Sequence, residues 1–299
     1  MSQAPNPPEQ PTPDHSGAGV LYVIATPIGN LGDLSPRAAS LLGSVDLLLC
    51  EDTRHSAALL ELVGARPERW SLHAHNEAGR TAAVVERLRG GALVGLVSDA
   101  GTPCLSDPGS LLVDAVQAAG LKVVSVPGPF AVAAALAGAG LPAVPFTFWG
   151  FVAKRSGTRR NQLAERLRAG PDGAMTHVFY VPGRDLRGFC ADVAAVAPQA
   201  SLAVARELSK VHEGWLRGTA AEVESALLDE QLRGEAVVLV AVERGSEAEA
   251  GQPDVDELLR AAIAGDRERK AALREISQQT GMSRRELYRR WLALRSDEA

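Results

Sequence analysis

Short apolar runs alternate along the chain with segments of helical spacing. Apolar runs of this kind are typical of strands buried on both faces, and their alternation with helices is typical of a parallel sheet. In the first half, the runs are VLYVIAT, VDLLLCE, ALVGLVSD and KVVSVP, and the helical segments begin near Pro36, Thr53, Gly109 and Pro129. The pattern predicts an α/β domain with a mostly parallel sheet over residues 20–143.

A second series of alternating segments follows a glycine- and proline-containing stretch between Gly140 and Pro145. Its apolar runs are FTFWGF, AMTHVFYV, SLAVAREL and EAVVLVAVE, with helical spacing around 158–168, 184–196 and 219–229. These segments predict a second α/β domain over residues 144–244. Beyond a polar linker, segments near 254–264, 268–279 and 283–295 predict a helical module over 253–299, with Leu273, Ile276, Leu287 and Trp291 as its apolar face. The module resembles a helix-turn-helix, which would bind RNA or cap the second domain.

The ends of the pattern and the composition limit the classes of protein to consider. Residues 1–19 contain five prolines and few large apolar groups, which predicts a disordered tail. No apolar run is long enough to span a membrane, and the three cysteines form no CxxC pair. We therefore expect a cytoplasmic protein without a disulfide scaffold or a zinc ribbon.

The usual nucleotide-binding and hydrolase motifs are missing from the sequence. No GxGxxG follows the first strand, and GxxxxGK[ST], HExxH and GxSxG do not occur. Parallel sheets bind ligands at the carboxyl ends of their strands, so the loops at those ends are the candidate binding segments. They are TPIGNLGD at 26–33, SDAGTPCLSDPG at 98–109 and VPGPFA at 126–131. Each loop taken alone is equally typical of a tight turn.

Charge is distributed unevenly along a chain whose formal net charge is −5. Basic residues concentrate at 154–168 and again near the C-terminus, so contact with RNA phosphates would have to be local. The candidate RNA-binding residues are Lys154, Arg155, Arg159, Arg160, Arg284 and Arg285. A solvated helix face and an arginine-rich genome composition are the alternative explanations.

In their order, these segments resemble the tetrapyrrole-methylase superfamily and, within it, the ribosomal RNA small subunit methyltransferase I family. The resemblance extends from Leu21 to Glu243. Its motifs are LYVIATPIGNLGD, CEDTRHS, HAHNE, VSDAGTPCLSDPG, VPGPFA, GF before basic residues, VARELSKVHE, LRGT and GEAVVLV. The family 2′-O-methylates a cytidine of small-subunit ribosomal RNA, which is the activity that the resemblance implies for this chain.

The resemblance also implies a two-domain α/β fold, with S-adenosylmethionine bound in the cleft between the domains and without a metal. The implied partners are small-subunit ribosomal RNA or the 30S subunit, together with a second copy of the chain in a homodimer. The implied cofactor contacts are Pro27, Gly29, Asp99, Gly101, Thr102, Ser106, Gly128, Phe130, Ala131, Tyr180, Glu207 and Leu208. Phe130 departs from the family pattern, which usually has serine at this position.

Methylation of a hydroxyl also needs a group that removes its proton. Polar residues that follow two further strands are the candidates: Glu51, Asp52, Arg54 and His55, then His73, His75, Asn76 and Glu77. From these we select Asp52, Arg54, Asn76 and Glu77 as catalytic candidates, with structural pairing to neighbouring arginines as the alternative for the two carboxylates. A corrinoid or porphyrin methyltransferase and a non-enzymatic RNA-binding assembly factor remain alternative functions.

Overall fold

The computed structural model describes residues 17–170, 173–243, 255–264, 269–280 and 284–297. Within these ranges the chain forms ten strands and eleven α-helices. The strands are β1 (Val20–Ile24), β2 (Leu47–Cys50), β3 (Glu68–Ser71), β4 (Leu93–Leu96), β5 (Lys122–Val126), β6 (Phe146–Phe151), β7 (Met175–Pro182), β8 (Ser201–Arg206), β9 (Gly214–Thr219) and β10 (Glu235–Val242). The helices are α1 (Pro36–Leu42), α2 (His55–Leu62), α3 (Glu77–Arg89), α4 (Ser110–Ala118), α5 (Ala131–Ala139), α6 (Ser156–Arg166), α7 (Leu186–Val196), α8 (Ala220–Ala226), α9 (Val255–Ala264), α10 (Arg269–Thr280) and α11 (Arg284–Asp297).

The first five strands form a parallel sheet in the order β3-β2-β4-β1-β5. Helices α1 and α2 pack on one face of this sheet, and α3 and α4 pack on the other. The Ser35 hydroxyl accepts a hydrogen bond from the Ala38 amide and so caps α1. The prediction of a parallel sheet covered on both faces is confirmed. Its carboxyl edge carries the loops that follow β1, β2, β4 and β5.

The second sheet has the order β6-β7-β10-β8-β9, in which β6 and β7 are parallel and the other pairs are antiparallel. Helices α6, α7 and α8 cover one face. Helix α5 covers part of the other face, because its small buried side chains Val132, Ala135 and Ala139 pack among strand residues of this sheet. The predicted boundary between residues 143 and 144 assigns α5 to the first domain, although part of α5 packs on the sheet of the second domain.

Helices α9, α10 and α11 share an apolar cluster of their own. Leu273, Ile276, Leu287 and Trp291, the predicted apolar face, are all buried in it. Most of the predicted tail and the predicted polar linker, from Arg244 onward, lie outside the described residues. In the portion of the chain that the structure describes, no helix has the length and apolar character needed to cross a bilayer.

Candidate functional site

A cleft of about 650 Å³ lies where the carboxyl edge of the first sheet faces the second sheet. Loops after β1, β2, β4 and β5 line one side, and residues of β6, β7, β8 and β10 line the other. Of the twelve predicted cofactor residues, nine line this cleft: Asp99, Gly101, Thr102, Ser106, Phe130, Ala131, Tyr180, Glu207 and Leu208. The loops selected from the sequence therefore line this cleft.

The loop at 98–109 is held against its neighbours by hydrogen bonds. Thr26 and Gly101 exchange two backbone hydrogen bonds of 2.8 and 3.1 Å, and the Thr102 hydroxyl donates to the Pro129 carbonyl at 3.0 Å. These contacts join the loops that follow β1, β4 and β5. The three loops therefore form one connected wall, whose geometry does not depend on any single turn.

The cleft is lined by more acidic than basic side chains. Its carboxylates are Glu51, Asp99, Asp107, Glu207 and Glu235, and Lys210 pairs with Glu207 at 3.1 Å. Burial, followed by repulsion from Glu51, raises the pKa of Asp107 to about 6. Burial and the nearby Asp99 carboxylate raise the pKa of Glu51 as well. Such an excess of negative charge favours a cationic ligand.

Aromatic rings form another part of the cleft wall. The Tyr180 ring lies 4.9 Å from the Phe148 ring and 5.5 Å from the Phe151 ring, and Phe130 lies 6.1 Å from Phe148. Burial and then the Asp107 carboxylate raise the pKa of Tyr180 to about 12. Tyr180 is therefore a neutral hydroxyl at physiological pH. The side chain of Phe130, which the family resemblance left without a hydrogen-bonding role, belongs to this apolar wall.

Asp52 and Arg54, two predicted catalytic residues, are paired with each other beside the cleft and are not among its lining residues. The Arg54 guanidinium donates to both Asp52 oxygens, which holds the pKa of Asp52 well below its usual range. The Asp52 amide donates to Asp99 Oδ1 at 3.1 Å. The Asp52 carboxylate is thus a weak proton acceptor, and its backbone helps to position Asp99. A catalytic role for Asp52 and Arg54 stays a prediction.

Asn76 and Glu77, the other predicted catalytic residues, are hydrogen-bonded to the backbone of neighbouring segments. The buried Glu77 carboxylate accepts hydrogen bonds from the amides of Gly109, Leu111 and Leu112 at the start of α4. Asn76 closes a turn by accepting from the His73 amide and donating to the Ser71 carbonyl. Neither residue lines the cleft, and a catalytic role for either stays a prediction.

The predicted RNA-binding residues separate into exposed and buried groups. Lys154, Arg155, Arg284 and Arg285 are exposed, and the Arg160 side chain is 52% exposed. Arg159 contradicts the prediction, since its side chain is only 5% exposed and its Nε donates to Asp192 Oδ2 at 2.8 Å. The burial of Arg159 between α6 and α7 removes it from any surface that RNA contacts.

Three predicted cofactor residues, Pro27, Gly29 and Gly128, do not line the cleft. Gly128 borders a second cavity of about 520 Å³. Gly29 allows a close approach of the loop after β8, because a Cβ there would lie 2.4 Å from Lys210 Cγ. Their contact with a cofactor stays a prediction, while the structure shows that Gly29 serves packing.

Sequence reasoning missed several lining residues, of which Asp107, Phe151 and Glu235 carry the most chemistry. Asp107 belongs to the loop SDAGTPCLSDPG, which was already selected as a candidate binding segment. The presence of a second aspartate beside Asp99 in that loop is the feature of the sequence that could have identified it. His55, a weaker candidate, also lines the cleft, and its Nδ1 lies 3.6 Å from Asp99 Oδ2. Among the residues that the structure describes, no three His, Cys, Asp or Glu side chains are grouped so as to hold a metal ion.

Residues 20–224 match the family described as tetrapyrrole (corrin/porphyrin) methylases. A Xylella fastidiosa protein named ribosomal RNA small subunit methyltransferase I is 42% identical over 228 residues, which cover 75% of this chain and 82% of that protein. A Synechocystis protein of the same name is 36% identical over 281 residues, 93% of this chain and 99% of that protein. Among solved structures, this chain is similar to the crystal structure of uroporphyrin-III C-methyl transferase from Thermus thermophilus complexed with S-adenyl homocysteine, with a TM-score of 0.53 and 19% sequence identity. The superposition covers 74% of this chain and 97% of that chain. That likeness shows a shared fold.

Proposed function

Since the chain belongs to the family of tetrapyrrole (corrin/porphyrin) methylases, and within it to the ribosomal RNA small subunit methyltransferases I, we propose that it methylates the 2′-hydroxyl of a cytidine in small-subunit ribosomal RNA. It is a methyltransferase whose methyl donor is S-adenosylmethionine. The acidic cleft is the observation that carries the proposal, because it suits a cationic donor and contains a carboxylate able to accept a proton. The corrinoid and assembly-factor alternatives lose support, since the relatives are named for methylating ribosomal RNA.

The cleft residues fit S-adenosylmethionine, which carries a sulfonium, an ammonium and a carboxylate group and so has a net positive charge. Asp99 is suited to bind the ammonium or the ribose hydroxyls, and the backbone amides of the loop at 98–109 are suited to bind the carboxylate. The apolar side chains of Ile28, Phe130 and Val237 provide a surface for the adenine ring. When bound, the donor supplies an electrophilic methyl group.

Proton removal is assigned to Asp107. A hydroxyl oxygen that becomes methylated must lose its proton as the new carbon–oxygen bond forms. A carboxyl group with a pKa of about 6 is ionised at neutral pH, yet its carboxylate accepts a proton more readily than that of an ordinary aspartate. Glu51, which is more exposed than Asp107, is the weaker candidate. The Asp107 carboxylate therefore takes the proton of the ribose hydroxyl.

The negative charge of the cleft requires RNA phosphates to bind elsewhere. Lys154 and Arg155 are exposed and lie three and four residues after the end of β6, which supports a role for them in binding the backbone on either side of the target nucleotide. An assembled 30S subunit as substrate, a homodimeric state, a cytoplasmic location and RNA contacts from Arg284 and Arg285 stay predictions.

The function is tested by incubating the protein with labelled S-adenosylmethionine and with small-subunit RNA, naked or as assembled subunits. We expect a methyl group on a cytidine, and we expect the following phosphodiester to resist alkaline hydrolysis because the 2′-oxygen is blocked. A 2′-deoxycytidine at the mapped position should abolish transfer. Methylation of a base, or no transfer to either form of the RNA, would contradict the proposal.

Replacing Asp99 by asparagine should weaken cofactor binding by about 10- to 100-fold, because a hydrogen bond to a charged group is lost in a partly buried cleft. Asparagine keeps the size of the side chain and can still accept the Asp52 amide. Isothermal titration calorimetry with S-adenosylmethionine measures the change directly.

Asp114→Asn is the matched control, since it removes one negative charge from an exposed position on α4 outside the cleft. We expect its affinity for S-adenosylmethionine to equal that of the unmodified protein. Equal affinity in the Asp99 variant would remove Asp99 from the cofactor site, and an equal loss in both variants would indicate only a long-range charge effect.

A further inference from the structure

Phe151 is an apolar ring that the fold keeps at the edge of the cleft with 47% of its surface exposed. Among the residues that the structure describes, its ring contact is with Tyr180, at 5.5 Å and an interplanar angle of 59°. The outer part of the ring therefore faces the cleft and solvent. Exposing a large apolar side chain to water is unfavourable in free energy, and contact with a ligand would bury that apolar surface.

An irregularity in β6 directs Phe151 toward the cleft. Alternate residues of a regular strand face opposite sides, so Phe151 would share the face of Trp149. Instead, Phe148 pairs with Val178 and Phe151 pairs with Tyr180, which leaves one extra residue on β6. This bulge places Phe151 on the side of Phe148, since both rings contact Tyr180.

Gly150 makes the bulge sterically feasible. Its φ is +65°, in the region that favours glycine, and a Cβ there would lie 2.6 Å from Ser106 Oγ. Ser106 belongs to the loop at 98–109, so the bulge also brings β6 against the wall of the cleft. The position of Phe151 is thus a built feature of the site.

We propose that Phe151 is the platform on which the base of the methylated nucleotide stacks, an inference that rests on the proposed function and names how its substrate is held. The five carboxylates of the cleft repel phosphates, so affinity at this point must come from uncharged contacts. A nucleobase is a neutral, flat ring, and proteins that modify or recognise unpaired nucleotides hold splayed bases on aromatic side chains. Lys154 and Arg155, a few residues further along and exposed, carry the charge that suits the flanking phosphates.

The test replaces Phe151 by alanine, leucine and tryptophan and measures methyl transfer to small-subunit RNA. Loss of a stacking contact should lower kcat/KM for RNA by about 5- to 100-fold in the alanine variant. Leucine restores apolar volume but not a flat ring, so it should remain impaired, whereas tryptophan should retain activity. The Kd for S-adenosylmethionine should be unchanged in all three variants, because the platform contacts the acceptor and not the donor.

Phe146→Ala is the matched control. Phe146 lies on the same strand with 45% of its surface exposed, but it does not line the cleft. We expect its kcat/KM for RNA to stay at the level of the unmodified protein. An equal loss in the Phe146 and Phe151 variants would attribute the effect to β6 as a whole and overturn the platform.

A direct binding measurement separates this inference from the proposed function. The probe is a single-stranded RNA oligonucleotide that carries pyrrolo-cytidine, whose fluorescence falls on stacking, at the target position. Quenching by the unmodified and tryptophan proteins but not by the alanine variant supports the platform, even if no methyl transfer is detected and the proposed function fails. Methyl transfer with equal kcat/KM and equal quenching in the alanine variant would overturn the platform and leave the function standing. A weakened S-adenosylmethionine Kd in that variant would assign the ring to the donor instead.

Discussion

Replacing Asp107 by asparagine is expected to lower kcat at least 100-fold while the Kd for S-adenosylmethionine changes little. The loss follows from removal of the proton acceptor, since general base catalysis typically contributes 10²- to 10⁴-fold. In the unmodified protein, kcat should rise with pH up to about 6 and then level off, because Asp107 must be ionised to accept a proton. The residual activity of the variant should lack this acid limb. Single-turnover methyl transfer from pH 5 to 8 measures both effects.

The sign of the stability change distinguishes a catalytic loss from damage to the fold. The pKa of Asp107 is raised on folding, so the native state holds its proton more tightly and stability falls as pH rises from about 4 to about 6. Asparagine carries no charge and removes this penalty above pH 6. We therefore expect the Tm of the variant at pH 7.5 to equal or exceed that of the unmodified protein.

Glu51→Gln is the control for charge in the same cleft. Among the charged groups that raise the pKa of Asp107, Glu51 has the largest effect. Its removal should therefore move the acid limb to lower pH without abolishing turnover. If the glutamine variant lost activity while Asp107→Asn kept it, Glu51 would be the proton acceptor. If the residual activity of both variants kept the acid limb of the unmodified protein, a third ionisable group would be the proton acceptor.

The sequence predicted the fold wherever burial leaves a continuous apolar run. The five-stranded parallel sheet shows this for β1 and β2, whose residues are almost all buried. Strands β3 and β9 were not among the predicted runs, because β3 is an edge strand with the polar sequence ERWS and β9 is only partly buried. Strand pairing, rather than hydrophobic periodicity, defines these two elements.

Within the candidate site, the sequence located the loops but not the roles of individual charged side chains. The buried face of α3 contains Val84, Val85 and Leu88. Glu77 lies at helical spacing from them, so the periodicity already placed its carboxylate toward the interior, where the amides of α4 need an acceptor. Asp107 gave no comparable signal, since its pKa is raised first by burial and then by carboxylates far away in sequence, such as Glu51 and Glu235. Charges brought together by the fold cannot be read from spacing along the chain.

Arg159 shows the same principle on the predicted RNA-binding helix. Arg159 and Leu163 are four residues apart on α6 and are both buried, so they share the face that packs against α7. Their neighbours Arg155 and Arg160 are exposed. A run of basic residues therefore divides between the two faces of one helix, and its total charge overstates the surface that RNA can contact.

Replacing Arg159 by alanine is expected to destabilise the protein by about 3 kcal/mol, the lower end of the range for breaking a buried ion pair. The Asp192 side chain is only 2% exposed, and it would lose the 2.8 Å bond from Arg159 Nε. The cost stays at the lower end because Ser156 and Arg160 still donate to the same carboxylate. Thermal unfolding should show a Tm lower by roughly 6 to 12 °C.

Arg160→Ala tests the exposed partner of the same carboxylate and separates stability from RNA binding. Its half-exposed side chain should contribute less than about 1 kcal/mol to stability. As a phosphate contact it should reduce the slope of log affinity for RNA against log salt by about 1, whereas Arg159→Ala should leave that slope unchanged when measured well below its Tm. A different result would contradict this assignment: the Arg159 variant would be as stable as the unmodified protein and would have the flatter salt slope. Arg159 would then bind an RNA phosphate rather than Asp192 when RNA is present.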